Sequence, residues 1–178
     1  MTLLDFFKNT SNLKNISRQG WIDKLSIEHP ESVADHSYSM AIMAMIISDL
    51  ENYNSEKILK MVLLHDLAES KIGDLTPDQI SKDEKEQIEN NAFSEIIEKL
   101  PNSIKLQYTE IWKEYQKQTS RESQIVRQID RLEMALQAKI YEKSSLSKKD
   151  ISPFLETAKA DITHPKLKEL FTKIIEKE

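Results

Sequence analysis

The chain has 178 residues, 39% of them hydrophobic and 31% charged, a balance typical of one globular domain rather than of a disordered segment. Its formal net charge is −5, and its basic residues are interleaved with acidic ones, which argues against a nucleic-acid polymer as partner. The absence of cysteine excludes disulfides, thiolate nucleophiles and cysteine-based zinc sites, so histidine and carboxylate side chains remain as possible metal ligands.

The sequence indicates neither a secretion signal nor a membrane span. The N-terminal stretch MTLLDFFKNTSNLK is too polar for a signal peptide. No stretch approaches the ~18 uninterrupted apolar residues that a membrane-spanning helix needs. We therefore expect a cytoplasmic protein that does not contact a membrane.

Helices are the favoured secondary structure, because only two glycines and five prolines are available for turns. Ser81 and Glu84 form the sequence signature of a capping box, and Gly73 marks a helix end. The predicted helices are about 3–13, 31–50, 55–73, 81–100, 103–117, 120–143, 150–160 and 166–177.

Two of these helices are predicted to lie buried at the centre. The runs SYSMAIMAMIISDL in helix 31–50 and ILKMVLLHDLAESKI in helix 55–73 are apolar on almost every side, which is typical of helices that are covered all round. Because we find no repeat, low-complexity segment or linker, residues 1–178 are predicted to form one all-α domain, a helical bundle with two buried central helices. The C-terminal helices at about 150–177 complete it.

Four chemically active side chains lie in or just beyond the second central helix: His65, Asp66, Glu69 and Asp74. Buried carboxylates are costly unless they are paired or bound to metal, and the nearby Lys71 is a single charge. Asp66 and Glu69 share a helix face, whereas His65 lies about 100° away around the helix. The pattern indicates that these groups need a positive partner, such as a metal ion at the edge between His65 and Asp66. A buried His65–Asp66 hydrogen bond, with Glu69 and Asp74 solvated, is the alternative.

Two further candidate ligands are distant in the sequence. His36 lies near the start of the first central helix, where a packed core histidine is the alternative to a ligand. Asp130 has apolar residues four positions before and after it, so it is predicted to face inward as a ligand or a salt-bridge partner. Gly73 is expected to adopt a left-handed conformation that aims Asp74 back toward the helix end.

Arg18, Gly20 and Trp21 fall in a stretch that is predicted to be irregular. An arginine near an aromatic ring suits recognition of a phosphate together with a base. Trp21 as an ordinary core residue is the alternative.

The order His36, His65-Asp66 and Asp130 resembles the H…HD…D pattern of the HD-domain metal-dependent phosphohydrolases. RQGW, PESVADHSYSMA, LLHDLAESKIGDLTP and QIDRLEMALQA look like the corresponding blocks of the HD-domain 5'-deoxynucleotidase family, which includes bacterial enzymes and eukaryotic relatives. The resemblance spans about residues 18–142. The two residues that separate Arg18 from the next tryptophan match the spacing of the eukaryotic branch.

The resemblance implies an HD-type bundle that binds one divalent metal ion. The implied ligands are His36, His65, Asp66 and Asp130. Two imidazoles and two carboxylates suit Mn²⁺, Fe²⁺, Co²⁺, Ni²⁺ or Zn²⁺, with open positions for water and a phosphoryl oxygen.

By the same resemblance, Glu69 and Asp74 match the family's catalytic acids, Arg18 its phosphate-binding arginine, and Trp21 a residue that shapes the substrate site. The expected reaction is hydrolysis of a (deoxy)nucleoside 5'-monophosphate to a nucleoside and phosphate. A metal-activated water attacks phosphorus, and Glu69 orients this water or accepts its proton. Asp74 either protonates the leaving 5'-oxygen or holds the attacking water, while Arg18 binds the non-bridging oxygens.

Two other functions are consistent with an HD pattern. One is hydrolysis of a triphosphate, a cyclic nucleotide or an alarmone, although the chain lacks basic segments to grip a triphosphate and has no second histidine cluster. The other is a binding protein that kept the fold without catalysis, although every motif residue of an active member is present. The resemblance also implies a homodimer.

Overall fold

The computed structural model describes residues 2–76, 79–144 and 149–176. In these residues the regular structure is helical, with one isolated antiparallel bridge between Ser17 and Ser32, so the all-α prediction is confirmed. The helices are α1 (Leu3–Asn12), α2 (Gln19–Leu25), α3 (Val33–Leu50), α4 (Ser55–Leu64), α5 (Glu69–Ile72), α6 (Lys82–Ile97), α7 (Asn102–Lys117), α8 (Arg121–Lys143), α9 (Ser152–Asp161) and α10 (Pro165–Glu176). Residue 177, the predicted end of the last helix, lies outside the described residues.

Reciprocal capping boxes set the start of two long helices. At α3, the Asp35 N–H donates to the Ser32 hydroxyl at 3.1 Å, and the Ser32 N–H donates to the Asp35 carboxylate at 2.9 Å. Ser81 and Glu84 form the same pair of bonds at α6, at 3.3 Å and 3.2 Å. Each box gives partners to N–H groups that the first helical turn leaves unpaired. The capping box predicted at Ser81 is therefore confirmed.

The stretch around Gly20 and Trp21 is helical, so the prediction of an irregular segment was wrong. It forms α2, whose first N–H, that of Gln19, donates to Asp74 Oδ2 at 2.8 Å. The capping carboxylate thus comes from 55 residues farther along the chain. A local sequence pattern cannot reveal such a cap, because the group that satisfies the helix start arrives only in the folded chain.

The predicted helix over 55–73 is interrupted, and the interruption holds the HD dipeptide. α4 ends at Leu64, after which the Leu67 N–H donates to the Leu64 carbonyl at 3.1 Å and the Glu69 N–H to the Asp66 carbonyl at 3.0 Å. Such bonds over three residues tighten the backbone into a 3₁₀-like turn. His65 itself keeps right-handed helical dihedrals, φ −61° and ψ −37°, so the interruption is a change in the hydrogen-bond pattern.

Three helices form the centre of the bundle. α3, α4 and α8 pack against one another, and Met40, Met61, Val126 and Ile129 from these helices are fully buried in one apolar core. α7 packs on α4 and α8, while α9 and α10 pack on α8. The two predicted central helices, α3 and α4, are thus accompanied by a third, α8. His36 lies in α3, His65 at the end of α4 and Asp130 in α8.

α3 is not covered on every side, which corrects the prediction that it is buried all round. Five large apolar side chains, between 39% and 70% exposed, lie along one side of it. They are Tyr38, Ile42, Met45, Ile46 and Leu50, and we call them the α3 face. Among the described helices, none has the combined length and hydropathy that crossing a membrane requires.

Candidate metal centre

The HD dipeptide lies in the tightened turn between α4 and α5. His65 Nε2 is 3.0 Å from Asp66 Oδ2, and His65 Nδ1 is 2.6 Å from the carbonyl oxygen of Val62. Because a carbonyl only accepts hydrogen bonds, neutral His65 carries its proton on Nδ1. Its Nε2 then presents a lone pair beside the Asp66 carboxylate.

His36 and Asp130 reach the same place from two other helices. His36, in the first turn of α3, is fully buried, and its Nε2 lies 3.4 Å from Asp130 Oδ1 on α8 and 3.8 Å from Asp66 Oδ2. The His36 and His65 rings have their centroids 5.5 Å apart. The four side chains selected from the sequence therefore lie together, although 94 positions separate the first from the last.

Two unpartnered nitrogen atoms test whether these residues fit a metal ion. His36 Nε2 and His65 Nε2 are buried, and within the described parts of the chain neither has a hydrogen bond of acceptable geometry. Ligand atoms of His36, His65 and Asp66 all lie within 4.8 Å of one another, and Asp130 joins this group through His36. Two imidazole nitrogens and two carboxylates are a suitable donor set for a divalent transition metal. The residues fit such an ion.

The protonation of His36 reflects its acidic surroundings. Burial and the Arg18 charge lower the pKa of His36, but the close carboxylates of Asp130 and Glu133 outweigh them and raise it to about 9. Burial opposes ionisation of Asp130, yet the contact with His36 and the charge of Arg131 hold the pKa of Asp130 well below its usual range. A protonated His36 thus balances the buried carboxylates.

Asp66 and Glu69 are shifted in opposite directions. Burial would raise the pKa of Asp66, but the neighbouring His65 and Arg18 hold it well below its usual range. Burial raises the pKa of Glu69, and the charges of Asp66 and Asp74 raise it further. Asp66 is therefore a carboxylate at neutral pH, while Glu69 is able to hold a proton. Carboxyl groups whose pKa values are driven apart are typical of acid–base sites.

Arg18 and Glu69 flank the HD dipeptide. Arg18 Nη1 lies 3.3 Å from Asp66 Oδ2, and the backbone N–H of Arg18 donates to the Glu31 carbonyl at 3.0 Å, next to the Ser17–Ser32 bridge. Glu69 is 3% exposed, and its Oε2 has no hydrogen-bond partner among the described residues. A cation and a carboxyl group capable of binding a proton are thus available beside the candidate ligands.

Gly73 directs Asp74 to the edge of the site. Its φ of 80° is positive, as predicted, but its ψ of 169° is extended rather than left-handed helical. The chain therefore leaves α5 in an extended course, and the Asp74 carboxylate reaches the N-terminus of α2 instead of turning back toward its own helix end. This corrects the predicted direction of Asp74 and explains why α2 begins where it does.

A cavity of about 450 Å³ opens beside the candidate ligands. Seven of the eight predicted site residues line it, and the fully buried His36 lies behind them. The seven are Arg18, Trp21, His65, Asp66, Glu69, Asp74 and Asp130. Its volume lies within the range of about 300–1,000 Å³ that is typical of small-molecule sites.

Trp21 belongs to both the core and the cavity wall. It is 2% exposed, and its ring packs on Phe154 and Tyr141, with centroids 4.5 Å and 5.4 Å away. Its Nε1–H donates to Glu31 Oε1 at 2.9 Å. Trp21 therefore shapes one wall through its edge and is not free to stack its face on a base.

Sequence reasoning missed Glu133 and two arginines of α8. Glu133 Oε2 lies 2.7 Å from His36 Nδ1, and the only signal for it was its position three residues after Asp130, on the same helix face. Arg131 lies 3.3 Å from Asp130 Oδ2. The exposed Arg127 also lines the cavity, and it makes no ion pair with the described residues. The positions of these two arginines in the sequence gave no indication that they lie at the site.

A family model described as the HD domain matches residues 10–170. The chain belongs to the HD domain family. The family that the sequence blocks resemble is therefore confirmed, and with it the fold and its association with divalent metal ions. The candidate ligands lie within the matched residues.

Sequence similarity to named relatives of the HD domain family covers almost the whole chain. It is 36% identical to 5'-deoxynucleotidase HDDC2 of Homo sapiens, covering 97% of this chain and 84% of that protein. It is 38% identical to 5'-deoxynucleotidase HDDC2 of Dictyostelium discoideum, covering 94% and 93%. Among solved structures, the PH0347 protein of Pyrococcus horikoshii is similar with a TM-score of 0.81 and 30% identity, covering 97% of this chain and 98% of the other.

Proposed function

We propose that the chain is a metal-dependent phosphomonoesterase that hydrolyses (deoxy)nucleoside 5'-monophosphates to a nucleoside and phosphate. The observation that carries the proposal is the convergence of the two unpartnered histidine nitrogens with Asp66 and Asp130 beside a cavity that also holds Arg18 and Glu69. The relatives named 5'-deoxynucleotidase support the substrate class, since they match nearly the full chain.

The residues that would hold one divalent ion are His36, His65, Asp66 and Asp130. When bound, an ion there supplies Lewis-acid stabilisation of phosphoryl oxygens and lowers the pKa of water. The mixed nitrogen and oxygen donors favour Mn²⁺, Fe²⁺, Co²⁺, Ni²⁺ or Zn²⁺ over a hard ion that prefers oxygen alone.

Side chains of the cavity are proposed to bind the substrate and to transfer protons. Arg18 reaches the cavity with its guanidinium and binds the non-bridging oxygens of the substrate, where its planar donors give paired hydrogen bonds. Glu69, whose pKa is raised by burial and by neighbouring carboxylates, accepts the proton of the attacking water. Asp74 also lines the cavity and has two open roles, protonation of the leaving 5'-oxygen or orientation of the water.

The substrate class can be tested with a phosphate-release panel. We expect the purified protein, loaded in turn with Mn²⁺, Co²⁺, Ni²⁺ and Zn²⁺, to release phosphate from deoxynucleoside 5'-monophosphates faster than from triphosphates or 3',5'-cyclic nucleotides. Five cations line the cavity, but three of them are already paired with carboxylates, Arg18 with Asp66, Lys85 with Glu89 and Arg131 with Asp130, which leaves little free positive charge to bind three phosphates. Preference for a triphosphate would refute the substrate assignment, and no hydrolysis of any compound would favour a non-catalytic binding protein.

Glu69→Gln separates catalysis from metal binding. Removing a general base typically costs about 10²- to 10⁴-fold in rate, so we expect phosphate release to fall by that amount. Metal stoichiometry and the unfolding midpoint should stay close to those of the parent protein, because Glu69 is not one of the proposed ligands. The matched control is Glu56→Gln, an exposed glutamate of α4 that pairs with Lys60. Undiminished turnover by Glu69→Gln would contradict the proposed base.

We also propose that two copies of the chain associate through the α3 face. Exposed apolar side chains along one helix are costly in water, and the α3 face adjoins an apolar groove of about 520 Å³ between α3, α8 and α10. Ile46 belongs to both the face and the groove, so the two form one continuous apolar surface. A second copy would cover both related surfaces at once, as expected of an interface with two-fold symmetry.

Ile46→Asp tests this association. Light scattering coupled to size-exclusion chromatography should give the mass of two chains for the parent and of one chain for Ile46→Asp, since a buried unpaired carboxylate is strongly unfavourable. The control is Leu106→Asp, at an exposed leucine of α7 outside the α3 face, which should leave the mass unchanged. A parent protein with the mass of a single chain would rule out the dimer.

A further inference from the structure

Both nitrogens of the His36 ring face acidic groups. Nε2 points to Asp130 and Asp66, whereas Nδ1 lies 2.7 Å from Glu133 Oε2 on the opposite side of the ring. His36 and Glu133 are 0% and 2% exposed, so their contact is shielded from water. The histidine is thus held on the side that faces away from the proposed metal ion as well as on the side that faces it.

The position of Glu133 on α8 couples these two sides. Asp130 and Glu133 are three residues apart and lie on the same face of the helix, so one rigid element presents a carboxylate to each nitrogen of His36. An ionised carboxylate only accepts hydrogen bonds, so the Glu133 contact places the His36 proton on Nδ1 and frees the lone pair of Nε2. Rotation of the ring would break the 2.7 Å contact.

A second layer supports the Glu133 side. An oxygen of Glu31 lies within 4.8 Å of a ring nitrogen of His36 and of a carboxylate oxygen of Glu133. Glu31 is itself fixed at both ends, because its Oε1 accepts from Trp21 Nε1–H at 2.9 Å and its backbone N–H donates to Tyr141 Oη at 2.8 Å. A chain of contacts thus runs from Trp21 at the cavity wall, through Glu31, to Glu133 on the Nδ1 side of His36.

A second metal ion bound by Glu31, His36 and Glu133 is the rival interpretation of this cluster. The observed distance disfavours it. Adjacent donors of an octahedral ion at roughly 2.0–2.2 Å are about 3.0 Å apart, the separation found between His65 Nε2 and Asp66 Oδ2, and the 2.7 Å between His36 Nδ1 and Glu133 Oε2 is shorter than this. The shorter separation is that of a charge-assisted hydrogen bond.

We propose that Glu133 is a positioning residue, which fixes the ring and tautomer of His36 so that Nε2 is directed at the proposed metal ion and donates to it more strongly. The inference rests on the proposed metal binding, because without an ion His36 Nε2 would have no metal to coordinate. Carboxylates that orient a metal-binding histidine in this way typically change metal affinity by about 10- to 100-fold.

The test is a titration of the metal-free full chain with Co²⁺, followed by calorimetry and by the visible absorption of bound Co²⁺. We expect the parent to bind one ion per chain. Glu133→Gln, which keeps the shape but loses the charge, should bind one ion about 10- to 100-fold more weakly and with an altered spectrum. Glu133→Asp, which keeps the charge on a shorter side chain, should recover part of the affinity. Glu142→Gln, near the end of the same helix, should bind as the parent does.

Two results would overturn the inference. One is equal Co²⁺ affinity and an unchanged spectrum in Glu133→Gln. The other is binding of two ions by the parent and one by the variant, which would make Glu133 a ligand of a second ion. If Glu133→Gln does not fold, the affinity of Glu133→Asp relative to the parent decides in the same way. A parent that binds Co²⁺ but hydrolyses no monophosphate would refute the proposed function and leave this comparison intact.

Discussion

The cost of burying several carboxylates in one place is the constraint on which the rest of the site depends. Asp66, Glu69 and Asp130 are largely withdrawn from water, and the effective penalty for each buried ion is several kcal/mol unless compensation is close by. Within the chain, the compensation comes from the Arg18 charge, the proton on His36 and the proton that Glu69 is able to hold. A divalent cation would provide the same compensation, which is why a metal site is the natural interpretation of this cluster.

The geometry that satisfies this constraint is built at helix ends. His65 and Asp66 lie where α4 tightens into a turn, and His36 lies in the first turn of α3. Gly73 then lets the chain leave α5 with a positive φ, so that Asp74 reaches the N-terminus of α2. Helix ends change the direction of side chains within one or two residues, whereas the rigid cores of α3, α4 and α8 hold those ends in a fixed relation.

Most of the helices and all four candidate ligands were available from the sequence, the helices from apolar periodicity and caps and the ligands through a family resemblance. The errors have a common physical origin in long-range contacts. α2 begins where Asp74 caps it, and the exposed α3 face cannot be distinguished by composition from a buried one. Glu133 was missed because a spacing of three residues reveals a shared helix face but not the histidine across from it.

Residues from α3, from α8 and from the turn after α4 are proposed to bind one cation together. Anomalous diffraction at the zinc edge, from crystals soaked in Zn²⁺, tests it most directly. We expect a single strong peak at about 2.0–2.2 Å from His36 Nε2, His65 Nε2 and carboxylate oxygens of Asp66 and Asp130. The absence of a peak there, or a peak on the Nδ1 side of His36 beside Glu133, would contradict it.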